Sequence, residues 1–101
     1  MNEIKWLEEW YRSNCNGEWE HSCGIEIGTL DNPGWYVHID LSETRYKDLQ
    51  MLEWKRELEE NDWIRCVISD GIFQGVGDSL KLGEILRIFQ ELIEENQFVE
   101  V

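Results

Sequence analysis

Apolar residues near the start of the chain recur every three or four positions, which predicts an amphipathic helix over residues 2–14. Asn2 can cap its first turn, and Asn16-Gly17 is typical of a chain leaving a helix. Trp6 lies beside the apolar stripe, and we expect it to extend the contact with the core. The stripe itself consists of Ile4, Leu7, Trp10 and Tyr11.

A second apolar stripe near the end of the chain predicts another helix, capped by Asp78 or Ser79. The stripe consists of Leu82, Ile85, Leu86, Phe89, Leu92 and Ile93. Three glutamates, Glu91, Glu94 and Glu95, fall in its last turn, where the helix dipole disfavours negative charge. Either this small cost is tolerated, or a partner uses these charges.

Between the helices the period changes to two, which is typical of half-buried strands. The turn sequence Asp31-Asn32-Pro33-Gly34 predicts a first hairpin, and Asp70-Gly71 predicts a second, whose last strand is Ile72–Val76 and ends at Gly75 and Gly77. The residues expected to face the core are Cys23, Ile25, Ile27, Trp35, Val37, Ile39, Leu41, Ile64, Cys66 and Ile68.

Residues 49–58 fit two patterns, because Leu52 and Trp54 alternate with charged residues while Leu49, Leu52 and Arg56 could share a helix face. We interpret this segment as a strand. The predicted fold is therefore α+β: an antiparallel meander of four or five strands, with an N-terminal and a C-terminal helix packed on one face.

The length of 101 residues fits a single domain over residues 1–101, because two smaller domains would each bury too little apolar surface. No apolar run approaches the roughly 20 residues that would span a membrane, and the start is acidic and not signal-like, so we expect a cytoplasmic protein. Three cysteines cannot all pair within one chain, and we expect free, mostly buried thiols at Cys15, Cys23 and Cys66.

The formal net charge of -13 arises from 22 acidic and 9 basic residues. Such a charge opposes direct binding to nucleic acid or to anionic membranes, and it favours encounter with a basic protein. Acidity is also common in soluble proteins for solubility alone.

If the helices cover the apolar sheet face, the opposite face combines acids with aromatic side chains. It would carry Glu26, Tyr36, His38, Asp40, Glu53, Trp63 and Arg65. Aromatic residues often anchor protein interfaces, and acids can pair with a partner's Lys or Arg. This face is thus a candidate protein-binding surface, and the alternative is an ordinary solvated sheet face.

The segment Trp19-Glu20-His21 follows the first helix in a predicted loop, and loops often carry binding residues. A structural interpretation fits equally well, with Trp19 covering the end of the core and Glu20 capping a backbone amide. A pocket near Trp19, His21 and His38 is the basis of an alternative function, a small enzyme or ligand-binding domain.

Metal binding and catalysis have little support in the residue pattern. Cys15, His21 and Cys23 form one loose trio, whereas structural zinc sites use two closely spaced pairs of ligands. The glycines near residue 75 lack the Lys-Ser or Lys-Thr of a phosphate-binding loop. We therefore predict no cofactor, no metal and no catalytic residues.

The order of the tryptophan motifs along the chain resembles that of the immunity protein 53 family of bacterial toxin systems. The motifs are Trp19-Glu20, then Asp31-Asn32-Pro33-Gly34-Trp35, and then Asn61-Asp62-Trp63-Ile64. The likeness extends from the opening Trp6-Leu7-Glu8-Glu9-Trp10-Tyr11, with Trp6 or Trp10 as its tryptophan, to the helical segment Glu84-Ile85-Leu86-Arg87-Ile88-Phe89. The resemblance implies an antitoxin that neutralises a cognate polymorphic toxin domain inside the producing cell.

Taken with the charge, the resemblance implies that the toxin is basic, such as a nuclease, and that binding occludes its active site or substrate groove. The predicted toxin-binding residues are Trp19, Glu20, Glu26, Tyr36, His38, Asp40, Glu53 and Trp63. The sequence allows either a monomer or a homodimer.

Overall fold

Five antiparallel strands and three helices form residues 2–96, the part of the chain that the computed structural model describes. A helix at each end and a sheet between them confirm the predicted α+β fold. The elements are α1 (Glu3–Asn14), α2 (Trp19–Ser22), β1 (Ile25–Leu30), β2 (Gly34–Asp40), β3 (Met51–Glu59), β4 (Asp62–Ser69), β5 (Ile72–Asp78) and α3 (Leu82–Asn96).

The strand order is β1-β2-β5-β4-β3, which differs from a simple meander because β2 pairs with β5. Residues 41–50 connect β2 to β3, but β3 does not pair with β2 and lies instead at the opposite edge of the sheet from β1. The physical reason is burial: β2 and β5 carry residues that are buried on the core face, whereas β3 is charged and mostly exposed. Charged strands are typical of sheet edges.

Both predicted hairpins are confirmed. The turn after Leu30 returns the chain into β2, and the Asp70-Gly71 turn joins β4 to β5. Asp70 and Gly71 have φ angles of 56° and 78°. Positive φ at both central residues is the geometry that matches the twist of a two-residue hairpin, and it explains glycine at the second position.

Helix α1 begins at the predicted cap. The Asn2 side-chain oxygen accepts hydrogen bonds from the backbone N–H groups of Ile4 (2.8 Å) and Lys5 (3.3 Å). The apolar face is rotated from the predicted one, because Ile4 is 58% exposed while Trp6 is half-buried. The cause is that α1 packs against α3 through its tryptophans and not squarely onto the sheet.

An aromatic cluster joins the helices to the sheet on one side. Phe89 of α3 lies 5.0 Å from Trp10, 6.0 Å from Trp6 and 5.0 Å from Phe73 of β5, measured between ring centroids. Trp6 thus contributes to the core as predicted. Edge-to-face contacts such as that of Trp10 with Phe89 add to the stability from burial.

Gly75 lies inside β5 and does not end the strand, contrary to the prediction. A β-carbon there would approach Cγ2 of Ile85 to 2.5 Å, so glycine allows α3 to pack closely on the sheet. Strand β5 continues to Asp78, and α3 begins at Leu82, later than predicted. Asp78 therefore holds the turn before the helix: its carboxylate accepts a hydrogen bond from the Leu80 N–H.

The cysteines are free, but the prediction that they are mostly buried is only partly right. Cys66 is fully buried in the core, and burial raises the pKa of its thiol to about 12. Cys23 is half-buried, and Cys15 is exposed because the last turn of α1 faces solvent. Among residues 2–96, no helix has the length and apolar character needed to cross a membrane.

Candidate functional site

The outer face of the sheet is the face opposite the helices, and it brings several predicted binding residues together. Glu26 of β1 pairs directly with His38 of β2, and the Tyr36 ring lies 5.0 Å from the His38 ring. The Tyr36 hydroxyl donates a 2.5 Å hydrogen bond to Glu26 Oε2. These three side chains form a connected polar and aromatic group on two neighbouring strands.

Gly28 allows Tyr36 to lie across the sheet. A β-carbon at Gly28 would meet the Tyr36 ring at 2.4 Å, so the ring covers this glycine of the neighbouring strand. The hydrogen bond to Glu26 raises the pKa of the Tyr36 hydroxyl. The ring is therefore held in one orientation, with its hydroxyl and the Glu26 carboxylate at the surface.

The middle of the outer face is less polar than its margins. Across from Tyr36 and His38, the register places Val76, Gln74 and Val67, all half-buried. These residues were not among the predicted site residues. The alternation in β4 and β5 could have identified them, since Val67 lies between Cys66 and Ile68, which were both predicted to face the core.

On the β3 side of this face, Arg65 lies between two acids. Its guanidinium is 3.6 Å from Glu53 and 3.2 Å from Glu57. All three side chains are about half exposed, at 44%, 51% and 48%. Glu53 is thus on the predicted face, but part of its charge is compensated by Arg65.

Asp40 is placed at the end of β2, where its carboxylate has a local structural role. It accepts hydrogen bonds from the Ser42 N–H (2.9 Å) and the Ser42 hydroxyl (2.5 Å). Desolvation by itself raises the pKa of Asp40, but the hydrogen bonds from Ser42 and Cys23 outweigh it, so the pKa is lowered. The side chain stays charged, and it is only partly accessible to a partner.

Trp63 is half-buried at one end of the sheet, where two of the tryptophan motifs meet. The turn containing Asn32-Pro33 and the turn containing Glu60-Asn61 face each other across a polar cleft of about 180 Å³. The Trp35 indole N–H donates to the Ser79 carbonyl at 3.0 Å on the same end. The sequence motifs are therefore adjacent in space, although they are far apart along the chain.

Asp78 and Lys81 form a largely buried ion pair at the same end of the sheet as Trp35 and Trp63. Asp78, which is 4% exposed, accepts hydrogen bonds from the Trp63 N–H and from Lys81 Nζ, both at 2.8 Å. Lys81 also lies 2.9 Å from Asp62. Desolvation raises the pKa of Asp78, but the hydrogen bonds from Lys81, Leu80 and Trp63 outweigh this and lower it. This network connects the β3–β4 hairpin to the start of α3.

Trp19 is removed from the candidate toxin-contacting residues, because its side chain is fully buried. The indole N–H donates to the Asp40 carbonyl at 2.8 Å, and the ring packs 5.8 Å from Trp10. The predicted loop is the short helix α2, formed because the Asn16 side-chain oxygen accepts hydrogen bonds from the Glu18 and Trp19 N–H groups. Trp19 fills the core at this helix.

Glu20 also has the structural role that the sequence left open. Its carboxylate accepts hydrogen bonds from the backbone N–H groups of Asn16 (2.9 Å) and Gly17 (2.6 Å). Backbone hydrogen bonds lower the pKa of Glu20. A partner that binds this half-buried carboxylate would have to compete with its hydrogen bonds to the backbone N–H groups of Asn16 and Gly17.

The structure does not bring Trp19, His21 and His38 together in one pocket. The predicted pocket of the alternative function, an enzyme or ligand-binding domain, is therefore wrong. Trp19 lies on the core side of the sheet, His38 is exposed on the outer face, and His21 is exposed on α2. Within residues 2–96, no three His, Cys, Asp or Glu side chains are grouped as metal ligands would be.

A feature that the sequence reasoning missed lies on β3. Leu52 is 92% exposed and Leu58 is 64% exposed, and each falls within an irregularity of the β3–β4 pairing. A bulge inserts an extra residue and redirects its side chain. The failure of strict alternation in residues 49–58 was the available signal.

The fold is that of a small α+β domain with an open, charged sheet face. The chain belongs to the immunity protein 53 family, whose family model matches residues 4–94. This membership supports an immunity role. No curated protein and no solved structure was found to match the chain.

Proposed function

We propose that this chain binds a cognate polymorphic toxin domain in the cytoplasm of the cell that makes the toxin, and so protects that cell. The toxin domain is basic, and a nuclease is the class that best fits the charge of its inhibitor. The family membership supports the immunity role. The net charge of -13 supports a basic partner, because complementary fields accelerate association.

The proposed toxin-binding surface is the outer sheet face, and the group formed by Glu26, Tyr36 and His38 is the observation that carries this assignment. Tyr36 offers a large ring held in place by neighbours, and Glu26 offers an accessible carboxylate beside it. A rigid aromatic residue loses little conformational entropy on binding, which is why aromatic residues often anchor interfaces.

Inhibition would follow from occlusion. A nuclease must present basic side chains to the phosphates of its substrate. The carboxylates of an inhibitor can pair with these same basic side chains and so keep the phosphates from binding. Val67, Gln74 and Val76 supply a less polar centre that a partner surface can cover, while Glu26, Glu53 and Glu57 supply charge at the margins. The proposed activity is binding without a catalytic step. It involves no direct contact with nucleic acid or with a membrane.

The test is co-expression of this chain with the C-terminal domain of the protein encoded immediately upstream, followed by copurification. We expect the toxin domain to arrest growth alone, growth to resume with the immunity protein, and the two chains to elute together. Arrest that the immunity protein does not relieve, with no complex formed, would contradict the proposal for that pair.

The location of the binding surface requires a separate comparison. Glu26→Lys changes the outer face, and Glu9→Lys makes the same charge change at an exposed position of α1, on the opposite side of the molecule. Loss of rescue with Glu26→Lys alone would support the outer face. Equal loss with both variants would assign the effect to net charge instead.

A further inference from the structure

A groove lies between the edge strand β3 and the C-terminal half of α3, around a volume of about 250 Å³. Its walls are mostly apolar, and two glutamates line it as well. The lining residues are Met51 and Trp54 of β3 and Ile88, Glu91, Leu92 and Glu95 of α3. We call it the β3–α3 groove. It is on the helix side of the sheet, because Trp54 pairs with Cys66, whose side chain is in the core.

Trp54 is the largest apolar side chain in this groove, and it is 38% exposed. The guanidinium carbon of Arg56 lies 5.8 Å from the centroid of the Trp54 ring, and the same guanidinium donates hydrogen bonds of 2.7 and 2.8 Å to Glu84 of α3. The indole is thus held in place before any partner binds, which lowers the entropy that binding must remove. Tryptophan is enriched among the residues that dominate the energy of protein interfaces.

The charge in the groove is negative and uncompensated. Glu91 and Glu95 are exposed, and neither carboxylate pairs with another side chain of residues 2–96. The last turn of α3 has no basic residue, although the helix dipole there favours a cation. The sequence left open whether a partner uses the charges of this helix end. Their position beside an exposed tryptophan in an apolar groove favours that interpretation.

These features select a partner that is both apolar and cationic. An apolar side chain can cover Trp54 and Leu92, while a Lys or Arg beside it pairs with Glu91 or Glu95 and faces the negative end of the helix dipole. A second copy of this chain carries the same net charge of -13, which opposes its approach. Nucleic acid and anionic membranes are repelled for the same reason. A basic protein satisfies both requirements.

We propose that the β3–α3 groove is a second contact site for the toxin domain, and that it takes an apolar side chain flanked by Lys or Arg. The inference rests on the proposed function, because the toxin domain is the basic partner. Glu53 and Trp54 are consecutive on β3 and point to opposite faces of the sheet. Among residues 2–96, no strand lies beyond β3. One toxin domain can therefore contact the outer face at Glu53 and reach around the edge of the sheet into the groove.

The first experiment maps which carboxylates the toxin protects in the complex obtained by co-expression. A carbodiimide couples an amine to accessible carboxylates, and mass spectrometry of peptides measures the labelling at each one. We expect Glu91 and Glu95 to lose labelling when the toxin is bound. Glu8, which is 64% exposed on α1, should be labelled equally with and without the toxin. Labelling of Glu26 reports on the outer face in the same sample.

The pattern of protection separates the groove from the outer face. Protection of Glu26 with full labelling of Glu91 and Glu95 would overturn the groove and leave the proposed function intact. Protection of all three supports contact on both sides of β3, and protection of Glu91 and Glu95 alone supports the groove against the outer face. If the natural chain forms no complex with the toxin, both proposals fail.

Charge reversal tests the role of the two glutamates in affinity. The double variant E91K/E95K should weaken toxin binding by at least about tenfold and make the remaining affinity less sensitive to salt. Lysines at this helix end are favoured by the dipole, so the variant should be folded and at least as stable as the natural chain. The control E8K/E9K makes the same change in net charge on α1. Equal losses in both variants would assign the effect to net charge and overturn the groove.

Replacement of Trp54 tests the apolar part of the site. Trp54→Ala should weaken toxin binding by at least about tenfold, and Trp54→Phe, which keeps an aromatic ring, should weaken it less. Leu80→Ala is the control, because Leu80 is 87% exposed and is not part of the groove. Circular dichroism and urea unfolding show whether each variant is folded. An unchanged affinity for Trp54→Ala would overturn the proposal, whereas the labelling experiment needs no variant.

Discussion

The Tyr36 hydroxyl donates a hydrogen bond to Glu26 across the first two strands of the sheet, with an oxygen-to-oxygen distance of 2.5 Å. The relationship joins an aromatic ring and a carboxylate on a face that no helix covers within residues 2–96. It depends on Gly28, since any larger residue there would meet the ring. Charge and aromatic surface are thus combined in one fixed group.

Reversing the charge of Glu26 should weaken toxin binding. We expect Glu26→Lys to reduce affinity roughly tenfold, about 1.4 kcal/mol, and to make the remaining affinity less sensitive to salt. The measurement is calorimetry or surface plasmon resonance at several salt concentrations, with Glu9→Lys as the control. An unchanged affinity and salt dependence for Glu26→Lys would exclude this carboxylate from the interface.

The two buried indoles of Trp10 and Trp19 should respond differently to replacement by phenylalanine. The Trp19 N–H donates to Asp40 at 2.8 Å, whereas the buried Trp10 N–H has no hydrogen-bond partner in the described part of the chain. Trp19→Phe should therefore lower the free energy of unfolding by about 1 kcal/mol more than Trp10→Phe. Urea unfolding of both variants gives the comparison, and a larger loss for Trp10→Phe would contradict it.

Arg56 and Glu84 should be energetically coupled. Two hydrogen bonds of 2.7 and 2.8 Å connect the guanidinium on β3 to the carboxylate on α3. Because both groups are partly exposed, at 37% and 22%, solvent screening limits the coupling to about 0.5–1 kcal/mol. A double-mutant cycle with Arg56→Met and Glu84→Gln measures it. The matched cycle on Lys5 and Glu8, 3.9 Å apart and more exposed, should give a value near zero.

Acid should remove the stabilisation that Asp78 provides. The folded structure lowers the pKa of Asp78 below its ordinary value of about 3.9. The charged carboxylate therefore stabilises the fold fully when the pH is above about 3.9, and this stabilisation is lost as the pH falls through the pKa of the folded state. We expect Asp78→Asn to be less stable than the natural chain at neutral pH, and the gap to narrow in acid. Urea unfolding as a function of pH measures the gap, and a constant gap would be the contrary result.

The thiol of Cys66 should react only when the protein unfolds. It is fully buried, and a pKa of about 12 leaves a thiolate fraction on the order of 10⁻⁵ at neutral pH. Exposed Cys15 should react with a disulfide reagent promptly. Mass spectrometry of labelled peptides distinguishes the sites, and prompt labelling of Cys66 in the native state would show that the core opens there.

Local pattern predicted most of the secondary structure, because hydrophobic period and turn residues depend on neighbours along the chain. The Asn2 cap and the Asp70-Gly71 turn were predicted for this reason. The short helix α2 was missed, since it depends on Asn16 and Glu20 closing a turn around a buried Trp19. The bulges of β3 were missed because pairing with β4 decides them.

The sequence by itself determined the α+β class, the outward register of Glu26, Tyr36 and His38, and the acidity that favours a basic partner. Only the tertiary structure decided that β5 lies beside β2, that Trp19 belongs to the core, and that β3 has a free edge. The physical reason is range: periodicity and turn chemistry act over a few residues, whereas strand order and burial depend on which distant surfaces pack together.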